Sequence, residues 1–162
     1  MTNQNMSEMP NQMPYDSKAD TLEHIHVVRD NISHFNKVML DRAAAHDKSK
    51  LSPQEKDGFD TWTPRLKEMV FGSEEYKASL AALKPSLDHH YANNSHHPEH
   101  YPNGIAGMDL FDLVEMYCDW KAAAIRGKGD GTINLKMCVD RFGISEQLAS
   151  ILQNTIDRWD MK

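Results

Sequence analysis

Several things are scarce or absent in this sequence, and each absence excludes a class of function. No apolar run approaches the roughly 18 residues that a membrane-spanning helix requires. The N-terminus has no basic segment followed by an apolar one, so no secretory signal is expected and a cytoplasmic location follows by default. Only two cysteines occur, Cys118 and Cys138, too few for a disulfide framework and without a Cys-x-x-Cys partner for zinc. Positive charge is also short. The net charge of −6 argues against a protein that binds nucleic-acid polymers by neutralising their phosphates. It does not exclude a phosphate-bearing small molecule, because a bound metal supplies positive charge locally.

What remains is ordinary in bulk: 162 residues, 40% apolar and 26% charged, enough for one soluble domain with a real core. Residues 1–16 are rich in Met, Asn, Gln and Pro without periodicity and read as a flexible tail. From residue 17 to 162 the pattern is helical, with no strand and no internal repeat. Val27, Val28, Ile32, Phe35, Val38, Met39 and Leu40 recur at threes and fours, as an amphipathic helix requires. The weak helix formers Asp30-Asn31 and Ser33 to Asn36 allow a turn inside that stretch. Ser52-Pro53-Gln54-Glu55, Ser73-Glu74-Glu75 and Ser145-Glu146-Gln147 open further helices. Pro64 and Pro85 are expected to bend theirs. Gly72 stops the helix that begins at Pro53, Asn93-Asn94-Ser95 ends the next, and residues 96–107 form a loop. A helix runs from Asp109 to about Arg126, and residues 127–131 make a glycine-rich turn. The expected fold is all-α, a compact single-domain helical bundle.

The compositional oddity is histidine: nine residues, five of them between His89 and His100. Histidine is the commonest metal ligand. His46-Asp47, at the end of an alanine-rich helix, places imidazole beside carboxylate, which suits Mn, Fe, Co, Ni or Zn. On the 109–126 helix, Asp112, Glu115 and Asp119 share an arc of roughly 60°. Asp109 and Asp112 read as a solvated face. Asp119 borders the apolar stripe between Met116 and Ala123, so it needs a cation or several donors. Of the clustered histidines, His90 and His97 are preferred over His89 and His96; His97 is held extended by Pro98, and His96 is a second ligand if two ions bind.

His46-Asp47-x-x-Lys50 resembles the signature of the HD-domain metal-dependent phosphohydrolases, in which a first His precedes a His-Asp pair and a distant Asp follows. His24 followed by Val28 is similar to the upstream part of that pattern, and Asp119 in EMYCDWKAA matches the distant Asp. The loop HHPEHYPNGIAG resembles the histidine-pair loop of a branch that hydrolyses cyclic dinucleotides. His100 stands where that branch has Gly before Tyr-Pro, so substrate class does not transfer. Over most of residues 21–156 the chain is also similar to a group of uncharacterised bacterial and phage proteins sharing HDxSK, HHPEHY and EMxxDWKAA motifs.

The resemblance implies one or two divalent ions held by His24, His46, Asp47, His90, His97 and Asp119, activating water against a small phosphoester, a nucleotide or a simpler one. Lys50 is the expected phosphate contact, Glu99 and His100 the proton donors, and Asn94, Lys121 and Arg126 further substrate contacts. His26 competes with His24, and His34 reads as structural. One geometric condition applies: in an unbroken helix His24 and His46 would lie about 33 Å apart, so sharing a metal requires a chain reversal near Asn31 to Asn36. The alternatives are a metal-stapled binding module or phage effector, and an HD-type di-iron oxygenase. Trp159 leaves room for a homodimer.

Overall fold

The computed structural model describes residues 15–69, 73–127 and 130–160. The expected tail falls mostly outside these residues, as do the stop at Gly72 and the middle of the 127–131 turn. All regular structure among the described residues is helical, as the sequence leads one to expect. None of these helices is long and apolar enough to cross a membrane. The chain divides into two units, residues 1–37 and 38–162.

The first unit, where described, is dominated by helix α1 (Lys18–Ala45), which continues into the second. The turn allowed at Asp30 to Asn36 does not form. Ser33 instead donates its hydroxyl to the Arg29 carbonyl at 2.8 Å, which satisfies a serine inside a helix without breaking it. Leu22, Ile25, Val27, Val28 and Ile32 are exposed along this part of α1.

In the second unit, α1 ends at Ala45 and Asp47 adopts a left-handed conformation (φ 57°) before a 3-10 turn, Lys48–Leu51. Asp is among the few side chains that tolerate that region. Helix α2 (Pro53–Glu68) follows, then α3 (Glu74–Asn93), and both run on through their internal prolines, Pro64 and Pro85. Gly58 lets α2 and α3 approach closely: a Cβ there would lie 2.1 Å from Ser86 Oγ. The stripe Ser79, Leu83, Ser86 and His90 is the buried side of α3. Two 3-10 turns, Pro98–His100 and Gly104–Gly107, structure the loop before α4 (Leu110–Arg126).

Helix α4 works on two faces. Tyr117, Trp120 and Ala124 pack towards the core formed with Ile133, Cys138, Ile144, Leu152 and Ile156, which come from α5 (Leu135–Phe142), α6 (Glu146–Asp160) and their flanking turns. Trp120 stacks on Phe142 at 5.6 Å between ring centres. The opposite face carries Asp112, Glu115 and Asp119. Asp112 is not part of a solvated face: it is 2% exposed. Its Oδ1 accepts from Arg42 Nη2 and Ser95 Oγ, both at 2.6 Å, and its Oδ2 from Tyr101 OH at 2.6 Å. Asp112 also closes a capping box with Asp109. One carboxylate thus fastens α1, the histidine loop and α4 together.

Burial alone would raise the Asp112 carboxyl, but the hydrogen bonds from Ser95, Tyr101 and Arg42 hold it at about 2. Its unfolded value lies near 3.9, so as pH falls the unfolded chain takes up this proton first. The network's contribution, roughly 2–3 kcal/mol, is therefore complete above pH ~4 and is lost as pH falls through about 2. Urea denaturation at pH 6, 4 and 3 should show Asp112→Asn less stable at pH 6 and shallower in its decline with acid. An unchanged slope would show that Asp112 does not carry this linkage.

Candidate metal centre

Three segments deliver the site: the end of α1 with the Asp47 turn, the end of α3 with the histidine loop, and the outer face of α4. Arg42, in the last turn of α1, and His46, one residue beyond its end, stand four residues apart and so fall on one side. The left-handed Asp47 turns its carboxylate back between His46 and the α3 histidines. His90 lies in the last turn of α3, and His96 and His97 follow its C-cap, Asn94.

These side chains form two adjoining groups of metal-ligand type, Asp47 with His90, His96 and His97, and His46 with Asp47 and Asp119. In the first, Asp47 Oδ1 lies 3.3 Å from His90 Nε2 and 3.6 Å from His96 Nε2, and His90 Nε2 lies 2.9 Å from His97 Nε2. In the second, His46 Nε2 is 3.6 Å from Asp47 Oδ2 and 3.7 Å from Asp119 Oδ1. Ligands about 2.1 Å from a tetrahedral ion stand about 3.4 Å apart, so the spacings are those of atoms arranged around a cation. Asp47 offers one oxygen to each group.

The opposite nitrogens explain why the Nε2 atoms converge. Glu115 Oε1 accepts from His46 Nδ1 at 2.9 Å and from His96 Nδ1 at 3.1 Å. Glu55 Oε2 accepts from His90 Nδ1 at 2.9 Å. With the proton on Nδ1, the Nε2 of His90 and of His96 presents a lone pair inward, and that of His46 does so once it gives up its second proton, the arrangement in which carboxylates orient metal-binding imidazoles. His46, His96 and Glu115 also form a cluster of metal-ligand type, but it uses the Nδ1 atoms and is fully accounted for by these hydrogen bonds. Glu115 is itself held by Arg42 Nε at 2.7 Å, and Glu55 by Ser49 Oγ at 3.1 Å.

The interior is left electrostatically unfinished. Asp47 Oδ1 and His96 Nε2 are buried without a hydrogen-bond partner. A buried carboxylate oxygen facing an imidazole lone pair is costly unless a cation lies between them. The residues are of the kind and spacing that could hold a metal ion. Burial, with His96 and His90 alongside, pushes His97 down to about 3, and burial lowers His96 as well, so both are neutral and able to ligate. His46 is pushed up to about 9, chiefly by Asp119 and then by Glu115, so an ion entering there exchanges with a proton.

The remaining expected site residues divide clearly. Lys50 Nζ is 2.6 Å from Asp47 Oδ2, at the edge of the site. Among the described residues His24 is in no cluster of metal-ligand type, and α1 is helical throughout Lys18–Ala45, so the reversal it needed near Asn31 to Asn36 does not form. His26 and His34 lie on the same stretch of α1. Glu99 pairs with Arg141 at 2.8 Å, and His100 Nδ1 bonds the Tyr91 carbonyl at 2.7 Å. Asn94 is buried and gives its amide to the His90 carbonyl and to Ser49 Oγ, both at 2.7 Å. Lys121 is buried on another side of α4 and donates to the Gly131 carbonyl at 3.0 Å. Arg126 stands exposed in the last turn of α4. His89 turns to Glu55 Oε1 at 2.7 Å.

Sequence reasoning missed Glu55, Glu115 and Arg42. Glu55 is concealed by a capping-box pattern, yet Ser52 makes no side-chain cap and Glu55 serves the histidines instead. Glu115 was legible in part, since it shares the arc of Asp112 and Asp119. Arg42, four residues before His46, had no signal of its own.

Residues 13–158 match a family described as of unknown function (DUF5662), and the chain belongs to it. No curated protein and no solved structure matches the chain.

Replacing Glu115 by Gln keeps its shape but removes the charge that holds two Nδ1 protons. Zinc or cobalt titration with a competing chelator should show affinity reduced about 10- to 100-fold, with helical circular dichroism retained. Unchanged affinity would mean that Glu115 does not orient the ligands.

Proposed function

We propose that this member of a family of unknown function is a metal-dependent phosphohydrolase of the HD type, acting on a small phosphoester. The observation that carries the reading is the inward convergence of three histidine Nε2 atoms on the unpartnered Asp47 Oδ1. Asp47, His90, His96 and His97 would hold one ion, and His46, Asp47 and Asp119 a second; Mn, Fe, Co, Ni and Zn suit this donor set. When bound, such an ion supplies an activated water at neutral pH and offsets charge on phosphoryl oxygens.

Exposure favours catalysis over a purely structural role. The His90 and His96 side chains are 2% exposed, whereas those of His46, Asp47 and Asp119 are 23–29% exposed. The site is closed on the histidine-loop side and open on the α1–α4 side, and catalytic sites keep an open position. Lys50 is our candidate for the phosphate contact. Its ammonium is tethered to Asp47 and lies 5.3 Å from the centre of the Phe59 ring, a position that orients a cation without burying it. The chain's own groups thus bind and orient the anion and hold ligand tautomers. Glu99 and His100 have other partners, so we assign neither the proton-donor role.

A second reading has its own observation: Asp47, His90, His96 and His97 amount to a complete four-ligand set, as in structural sites. The experiment that separates them uses full-length protein loaded in turn with each metal and a panel of small phosphomonoesters and phosphodiesters. We expect hydrolysis of at least one substrate, falling to background in Asp47→Asn. A fully loaded protein that hydrolyses none, yet loses thermal stability on chelation, would overturn the enzyme reading in favour of a metal staple.

A further inference from the structure

The open side of the site leads into a cleft of about 220 Å³ between α1 and α4. Met39, Ala43 and His46 line it from α1 at positions i, i+4 and i+7, and Cys118, Asp119 and Ala122 line it from α4. These are matching helical stripes. Its charged groups, His46, Asp119 and Glu115, all belong to the metal centre and its orienting carboxylate, whereas the rest of the wall is methyl, thioether and thiol. The gap exists because alanine stands at both Ala43 and Ala122.

We infer that this cleft is the leaving-group pocket and that it takes a compact, uncharged, apolar alcohol, as in an aryl or short alkyl phosphate; the inference rests on the phosphohydrolase reading. Size permits it, since an apolar cavity of about 150 Å³ holds a benzene ring. Charge restricts it. No Lys or Arg is among the residues that line the cleft, so a leaving group that carries a second phosphate or a carboxylate finds no counter-charge on its walls. Polarity restricts it further, because Met39, Ala43 and Ala122 offer no hydrogen-bonding group to the edge of a nucleobase. Ala43 and Ala122 are thus the residues that set specificity.

Cys118 gives a readout independent of turnover, because its thiol is exposed while Cys138 is buried. The metal-loaded protein is labelled with a thiol-specific disulfide reagent, with Cys118→Ser identifying the signal. Benzylphosphonate should slow labelling about tenfold, and methylphosphonate should leave it nearly unchanged. Ala122→Leu and Ala43→Leu, both at exposed positions that can accept a larger side chain, should each abolish benzylphosphonate protection without changing metal content. The same variants should lower kcat/KM for phenyl phosphate at least tenfold and spare methyl phosphate. Equal protection by both phosphonates, or protection that survives both substitutions, overturns the inference. A protein that loads metal and hydrolyses phosphoesters without regard to the leaving group sinks this inference alone. One that loads metal but hydrolyses none sinks the phosphohydrolase reading beneath it.

Discussion

Glu115 Oε1 sits between His46 Nδ1 and His96 Nδ1, and that single oxygen fixes which nitrogen of each ring looks inward. Glu55 does the same for His90 from another helix. The remaining architecture serves to keep these two carboxylates in place. Arg42 grips Glu115 and Asp112 at once, so α1, α4 and the histidine loop share one electrostatic clamp. The contact of Gly58 with Ser86 brings α2 close enough for Glu55 to reach the end of α3. Carboxylates that accept from Nδ1 leave lone pairs at Nε2, and lone pairs gathered around Asp47 Oδ1 call for a cation. The inner groups are incomplete because the outer ones are so well satisfied.

Helix α4 shows how one element supports both stability and chemistry. Tyr117 and Trp120 anchor it to the core, and this fixes where Glu115 and Asp119 stand on its other face. A register shift of one residue would bury a carboxylate in the core and expose an aromatic ring. The position of Asp119 is therefore enforced by apolar packing some distance from the ion it would bind.

Much of this was legible in the sequence, for identifiable reasons. Helix starts announced themselves through Ser73, Asp109 and Ser145, because a cap is a local interaction. The His46-Asp47 pair and the histidine-rich loop stood out because imidazole in that density has few structural uses. The arc of Asp112, Glu115 and Asp119 followed from helical periodicity alone. What periodicity could not reveal was partnership. Asp112 looked solvated because its cation, Arg42, is 70 residues away in sequence. Glu55 looked like a helix cap because nothing local indicates that His89 and His90 will fold against it. His24 was favoured on motif order, and the unbroken α1 overrules it: poor helix formers at Asp30 to Asn36 lower helix propensity by only tenths of a kcal/mol each, too little to break a helix of 28 residues.

The central claim is that the chain builds a metal site around Asp47, and metal content per chain tests it most directly. Elemental mass spectrometry of wild type and Asp47→Ala, purified side by side, should find one or two equivalents of a transition metal in the wild type. The variant should have lost it while keeping its helical circular dichroism. A folded wild type that contains no metal, and takes up none of Mn, Fe, Co, Ni or Zn on reconstitution, would contradict the account.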